Sequence, residues 1–165
     1  MNLGRWCRLL VLAGLCLVPS TAAGAEARYH HAPEDSAILL PDPAVTPGQA
    51  VPMDVATLCA TKWGLDARHV TERMKAQTYA DYGAVKRKGL CCEVDHLVSR
   101  ELGGADVQDN LWPQPWRQAR MKDRVENWLH REVCAGRRSL ATAQRAIARD
   151  WYRVYLEMLR ERAKR

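Results

Sequence analysis

The sequence predicts an α+β domain that is mainly helical, and three observations predict it. Apolar residues recur every three or four positions from Met121 to Val133 and again from Leu140 to Met158, the period of two amphipathic helices. Cys91 to Val98 is short and partly alternating, which reads as a strand. Gly103-Gly104 then supplies a turn, and Asn110 to Trp112 offers an extended return closed by Pro113 and Pro115.

Taken in order, the first segment reads as a secretory signal peptide over 1–25. Arg5 and Arg8 give a positive start, Leu9 to Val18 is apolar, and Ala23-Gly24-Ala25 offers small residues for cleavage. The apolar run stops at Pro19, short of the ~20 residues a membrane span needs, so no transmembrane segment is expected after cleavage. Residues 26–54 carry Pro33, Pro41, Pro43, Pro47 and Pro52. Proline fixes φ and lacks a donor, so this stretch is expected to be an extended leader. The compact domain then occupies 55–160. Asp66 is placed to cap a helix running to about Tyr82, which Gly83 ends. The strand, turn, return and following helix make a core over about 88–134, with Gly136 as the stop. Ser139 caps a last helix over 139–160 whose stripe is Leu140, Ala143, Ile147, Trp151, Val154, Tyr155 and Met158. The aromatics of these two helices are expected in the core rather than on a base-stacking face. Arg160 to Arg165 is mostly charged and is expected to fray.

Losing Arg5 and Arg8 leaves 23 basic and 19 acidic side chains, a formal charge of +4. Such a protein is drawn to polyanions, although the same charge also serves solubility. Export places the chain in the periplasm or outside the cell, where disulfides persist. Cys59, Cys91, Cys92 and Cys134 remain, and four cysteines allow three full pairings. Adjacent cysteines bridge only with strain, which argues against Cys91–Cys92. Cys59–Cys134 is the first choice, because it would tie the segment before the site to the helix after it. Zinc is the competing reading, but the chain has no C-x-x-C pair.

The chemistry concentrates between Glu93 and the helix that starts near Arg117. Cleaving a phosphodiester with water needs a base, a group to stabilise developing charge, and a proton for the leaving oxygen. An imidazole suits the first need because it titrates near neutrality, and a divalent cation on hard oxygen ligands suits the second. Asp95 and His96 offer both, provided the strand end turns the two side chains into one cleft. In a straight strand they would face opposite ways. The double glycine permits a tight return that brings the Asn110 amide beside His96, where a hydrogen bond would orient the imidazole.

These residues resemble the HNH nucleases, whose ββα-metal (His-Me finger) module grips one divalent cation. Asp95-His96 stand where that family has an acid and the general-base histidine. Gly103-Gly104 match its glycine pair, Asn110 its asparagine fourteen residues after the base, and Lys122 its helix lysine. Leu58 to Tyr155 is similar to a bacterial exported subfamily. Its strings stand here as Glu93 to Leu97, Leu102 to Gly104, Asn110 to Pro113, Lys122 to Cys134, and Ala143 to Trp151. The resemblance implies a ββα-metal module flanked by helices, with His96 and Asn110 catalytic and Asp95 a metal ligand. It also implies hydrolysis of DNA, with RNA as the alternative.

One position departs from the pattern. The third histidine of the motif, a metal ligand nine residues beyond the asparagine, is Ala119 here. Residues i and i+4 share a helix face, so Asp123 is the expected substitute. Glu126 and His130 lie ~10 Å and ~16 Å along the helix and rank lower, with Glu93 third in rank. An oxygen set favours Mg²⁺ or Mn²⁺, with Ca²⁺ next. Lys122 and Arg120 are the candidate phosphate contacts, within a basic flank of Arg117, Arg124 and Arg131. His130 is expected to bond locally. Loss of the third ligand leaves a second expectation, a catalytically weakened module that binds nucleic acid or an envelope partner.

Overall fold

The computed structural model describes residues 28–83 and 91–164, so the expected signal peptide lies outside the described residues. The chain forms β1 (Tyr29–Ala32), β2 (Asp35–Pro41), α1 (Val55–Ala60), α2 (Glu72–Asp81), β3 (Cys92–His96), β4 (Leu111–Pro115), α3 (Trp116–Cys134) and α4 (Leu140–Ala163). About half of the described residues are helical and the strands make two small antiparallel pairs, which is the mixed α+β class expected. Among the described residues no helix is long and apolar enough to cross a membrane.

The extended leader is corrected from Tyr29 onward. β1 and β2 pair in a hairpin, with Tyr29 opposite Pro41 and His31 opposite Leu39. Ala32, Ile38 and Leu40 are buried in the main core, and β2 packs against α4. The prolines mark the hairpin's turn at Pro33 and its end at Pro41 rather than a linker. Proline density outweighed the short alternation of Ile38 and Leu40, which is a strand signal.

Two helices precede the site where one was expected. Asp54 caps α1 by accepting from Thr57 N at 2.8 Å, and Thr71 caps α2 by accepting from Met74 N at 3.2 Å. Asp66 caps nothing: it accepts from Gly64 N at 3.0 Å and pairs with Arg100. Gly83 follows α2 at φ 61°, a left-handed position that suits glycine.

β3 and β4 pair from Cys92 opposite Pro115 to His96 opposite Leu111. Pro113 therefore lies inside β4, while Pro115 is its last residue and closes it as expected. In a two-stranded sheet every strand has a free edge, so a missing donor costs no ladder bond. α3 and α4 then pack on each other through Val125, Leu129, Val133, Ala143, Ile147, Trp151, Val154 and Met158, all buried. That is the predicted stripe. α4 runs on to Ala163 instead of fraying at Arg160, and it is interrupted at Asp150 (φ −166°), whose carboxylate caps the restarted helix at Arg153 N.

Cys59 and Cys134 are disulfide-bonded across 75 residues, tying α1 to the end of α3 as expected. Cys91 and Cys92 are also bonded to each other, against the expectation from adjacency.

Candidate functional site

The site begins where β3 stops. Glu93 and Asp95, two residues apart, share one face of the strand, and His96 is its last residue. The chain then enters a loop with a 3₁₀ turn over Arg100–Leu102, capped by Ser99 and ended by Gly103 at φ 77°. Gly104 N donates to Ser99 O at 2.9 Å. A Cβ on Gly104 would stand 1.8 Å from Val98 O, so only glycine permits this crossing. The double glycine thus returns the chain as the sequence implies.

Asn110 is fully buried at the end of a second 3₁₀ turn, just before β4. Its Oδ1 accepts from Val98 N at 2.8 Å and from Gln49 N at 3.3 Å. Its Nδ2 donates to Val98 O and Ala105 O, both at 3.0 Å. These four bonds exhaust the amide and none goes to the imidazole. The expected bond from Asn110 to the ring is therefore corrected: the side chain staples the loop that carries the ring.

The ring's partner is Asp106. His96 is 2% exposed, and its Nε2 lies 2.7 Å from Asp106 Oδ1. Asp106 Oδ2 accepts from His69 N at 2.7 Å, and Arg100 Nε lies 3.7 Å from Oδ1. Partial burial pushes the Asp106 carboxyl up, but hydrogen bonds from His69 N and His96 and the charges of His96 and Arg100 hold it below the usual range. An ionised carboxylate only accepts, so the proton of the neutral ring sits on Nε2 and the lone pair on Nδ1. Burial lowers the His96 pKa despite the opposing pull of Asp106 and Asp95, which keeps the ring neutral at pH 7. Sequence reasoning missed Asp106, whose place in an irregular loop carries no periodic signal.

Asp95 and His96 line one cleft of about 290 Å³, together with Trp63, Asp66, Arg68, Arg100, Glu101 and Glu126. The objection from strand alternation falls away because β3 ends at His96. Arg100 is committed to Asp66 and to Ala67 O, whereas Arg68 makes no ion pair or hydrogen bond among the described residues.

Lys122 is not where a phosphate contact would be. It is fully buried in α3, and its ammonium donates to Asp95 Oδ2 at 2.7 Å, to His96 O at 2.6 Å, and to Glu126. All three donors are spent on protein oxygens. Burial pushes this pKa down, but the charges and hydrogen bonds of Asp95 and Glu126 more than offset it and hold the ammonium well above its usual value. Arg120 is exposed on α3 and does not line the cleft.

Four carboxylates surround that one ammonium. Burial raises Glu93, and the charges of Asp95 and Asp123 raise it further. Burial and the charge of Asp95 raise Asp123. Burial raises Glu126 against the pull of Lys122. Asp123 therefore shares the electrostatic neighbourhood of Asp95, while Glu126, ranked lower from helical rise, is the α3 carboxylate that lines the cleft. His130 bonds on its own helix only through Nε2, 3.5 Å from Cys134 Sγ, while Nδ1 reaches Glu101 O at 2.8 Å in the 3₁₀ turn, so the expectation of a purely local bond is corrected. Compared with protein-family models, curated proteins and solved structures, the chain matches none.

Proposed function

We propose that this chain is a metal-dependent nuclease of the HNH type, with β3, β4 and α3 as its ββα-metal module. It would hydrolyse phosphodiester bonds of DNA, with RNA as the alternative substrate. The observation that supports this most is that Asp95 and His96 border one cleft while His96 keeps its lone pair on Nδ1. A water at Nδ1 loses its proton to the ring and attacks phosphorus, the P–O bond to the leaving oxygen breaks, and that oxygen takes a proton from solvent water. Arg68, which makes no ion pair or hydrogen bond among the described residues, holds the phosphate and offsets its charge.

The donor set fits a hard divalent ion. Asp95 has one carboxylate oxygen not bonded to Lys122, Glu126 lines the same cleft, and Asp123 is near enough to feel the charge of Asp95. Among the described residues no three such side chains converge, and Mg²⁺ is commonly held by one or two carboxylates with water and substrate phosphate completing the shell. When bound, Mg²⁺ or Mn²⁺ would stabilise negative charge at phosphorus. The bond between Cys59 and Cys134 supports export to the periplasm or beyond, with 1–25 as the signal peptide.

The test is supercoiled plasmid incubated with the purified protein and Mg²⁺ or Mn²⁺, with EDTA and His96→Ala as controls. Nicking is expected from the unmodified protein with metal alone. Equal nicking by His96→Ala sinks the reading. One observation favours a weakened binding module instead: Ala119 fills the third-ligand place and the Lys122 ammonium already neutralises Asp95. Calorimetry with Mn²⁺ separates the two, since a folded protein that takes up no metal yet retains oligonucleotide is the binding module.

A further inference from the structure

We propose that Asp106 is the positioning residue that selects the reactive tautomer of His96, and that Asp106→Asn inverts that tautomer instead of merely weakening the contact. The inference rests on the nuclease reading for its catalytic consequence, but its structural content stands on hydrogen-bond geometry alone.

The two oxygens of Asp106 face different donors. Oδ2 takes His69 N at 2.7 Å, and Oδ1 takes His96 Nε2 at 2.7 Å. The first donor is backbone and is always an N–H. An imidazole nitrogen is either donor or acceptor according to where the proton sits. A carboxylate satisfies both contacts only when Nε2 carries the proton, which leaves the lone pair on Nδ1. An asparagine at 106 has one oxygen and one NH₂. Its oxygen must face His69 N, because an NH₂ there would set donor against donor. The NH₂ then faces His96 Nε2, which must offer a lone pair, so the ring proton moves to Nδ1. The nitrogen that would accept a proton from water becomes a donor. The Arg100 guanidinium, 3.7 Å from Oδ1, loses a charge partner but keeps Asp66 and Ala67 O.

Alanine at 106 behaves differently. It removes both oxygens and imposes no tautomer, and water can take the Nε2–H. The near-isosteric variant is thus the more damaging one. A purely structural role for Asp106 gives the opposite order, since asparagine preserves shape and alanine does not.

Two measurements on the full chain test this. Long-range ¹H–¹⁵N spectra of ¹⁵N-histidine protein, with His96 assigned by difference against His96→Gln, read the tautomer without reference to activity. The ring proton is expected on Nε2 in the unmodified protein and on Nδ1 in Asp106→Asn. An unchanged tautomer in Asp106→Asn overturns the proposal. Plasmid cleavage supplies the second readout. Asp106→Asn is expected to lower kcat on the order of 10⁴-fold, the scale of a wrong tautomer at a catalytic histidine, with KM unchanged. Asp106→Ala is expected to lose about 10–100-fold, as when a group orienting a histidine is removed. A larger loss for alanine than for asparagine also overturns it. If the unmodified protein cleaves nothing while the tautomer still inverts, the nuclease reading fails and the role of Asp106 survives.

Discussion

Lys122→Met replaces a buried ammonium by an apolar side chain of similar length and equally good helix propensity, so it isolates the charge. The lysine is fully inaccessible, and the side chains of its partners Asp95 and Glu126 are only 22% and 15% exposed. Removing one partner of a buried pair strands the other, at ~3–5 kcal/mol. Here two carboxylates are stranded, but both keep an edge on the cleft, so the low end applies, about 3 kcal/mol. With a urea m-value of ~1.5–2 kcal/mol/M for a domain of this size, the midpoint falls by about 1.5–2 M. The pH dependence carries a sign. The Lys122 pKa is raised on folding, so its contribution is fully present below the unfolded value and is lost only as pH climbs through the folded one. In Lys122→Met the carboxylates lose their counter-charge, and the folded pKa values of Glu126 and Glu93, already raised by burial against the pull of Lys122, rise further. The penalty is then complete at high pH and relieved as pH falls through those raised values. Urea titrations followed by far-ultraviolet circular dichroism at pH 8 and pH 5 read both features. A gap under about 1 kcal/mol at pH 8, or one that does not narrow at pH 5, refutes the reasoning and returns Lys122 to the role of phosphate contact.

Three further outcomes follow from the same structure. Replacing Cys59 and Cys134 by serine opens a loop of 75 residues' separation and is expected to cost about 4 kcal/mol in denaturant titrations run without reductant. Asn110→Ala strands Val98 N, Val98 O and Ala105 O, and is expected to cost about 3 kcal/mol while leaving the tautomer of His96 unchanged in histidine ¹⁵N spectra. Gly104→Ala drives a methyl into the Val98 carbonyl and is expected to give no cooperatively folded protein by calorimetry, since that neighbour is backbone and cannot swing away.

The parts legible in the sequence are those that repeat. α3 and α4 bury one stripe each, and a 3.6-residue period survives in the order of side chains however the rest of the chain folds. β3, the glycine crossing and the start of β4 were legible to within two residues because turn chemistry is local, whereas β4 runs three residues past Trp112. The N-terminal hairpin was obscured by proline, which marks both linkers and the ends of strands. Lys122 was misread for a different reason. A lysine is almost never fully buried unless paired, so its default place is solvent. Here Glu126, one turn along α3, and Asp95, from a strand distant in sequence, meet the same ammonium. Half of that arrangement is an i,i+4 pair visible in the sequence. The other half depends on how α3 lies against β3, which no local pattern encodes.

Asn110 and Asp106 illustrate the same limit at the site itself. The spacing from His96 to Asn110 places an amide near a histidine, but spacing cannot say which atoms meet. Backbone groups of the intervening loop compete for that amide, and they win because Val98 and Ala105 would otherwise be buried with unmet donors and acceptors, at about 1–3 kcal/mol each. The buried imidazole competes less strongly for the amide because a charged acceptor, Asp106, meets its Nε2 at 2.7 Å. The loop's own backbone therefore claims the neutral amide, and the ring is left to a charged partner. Asp106 fills that place from within the same loop, anchored from behind by His69 N. A carboxylate, which only accepts, sets the ring's proton on Nε2. The division of labour between Asn110 and Asp106 thus follows from what each partner can offer: the amide meets the loop's neutral donors and acceptors, and the carboxylate meets the ring N–H.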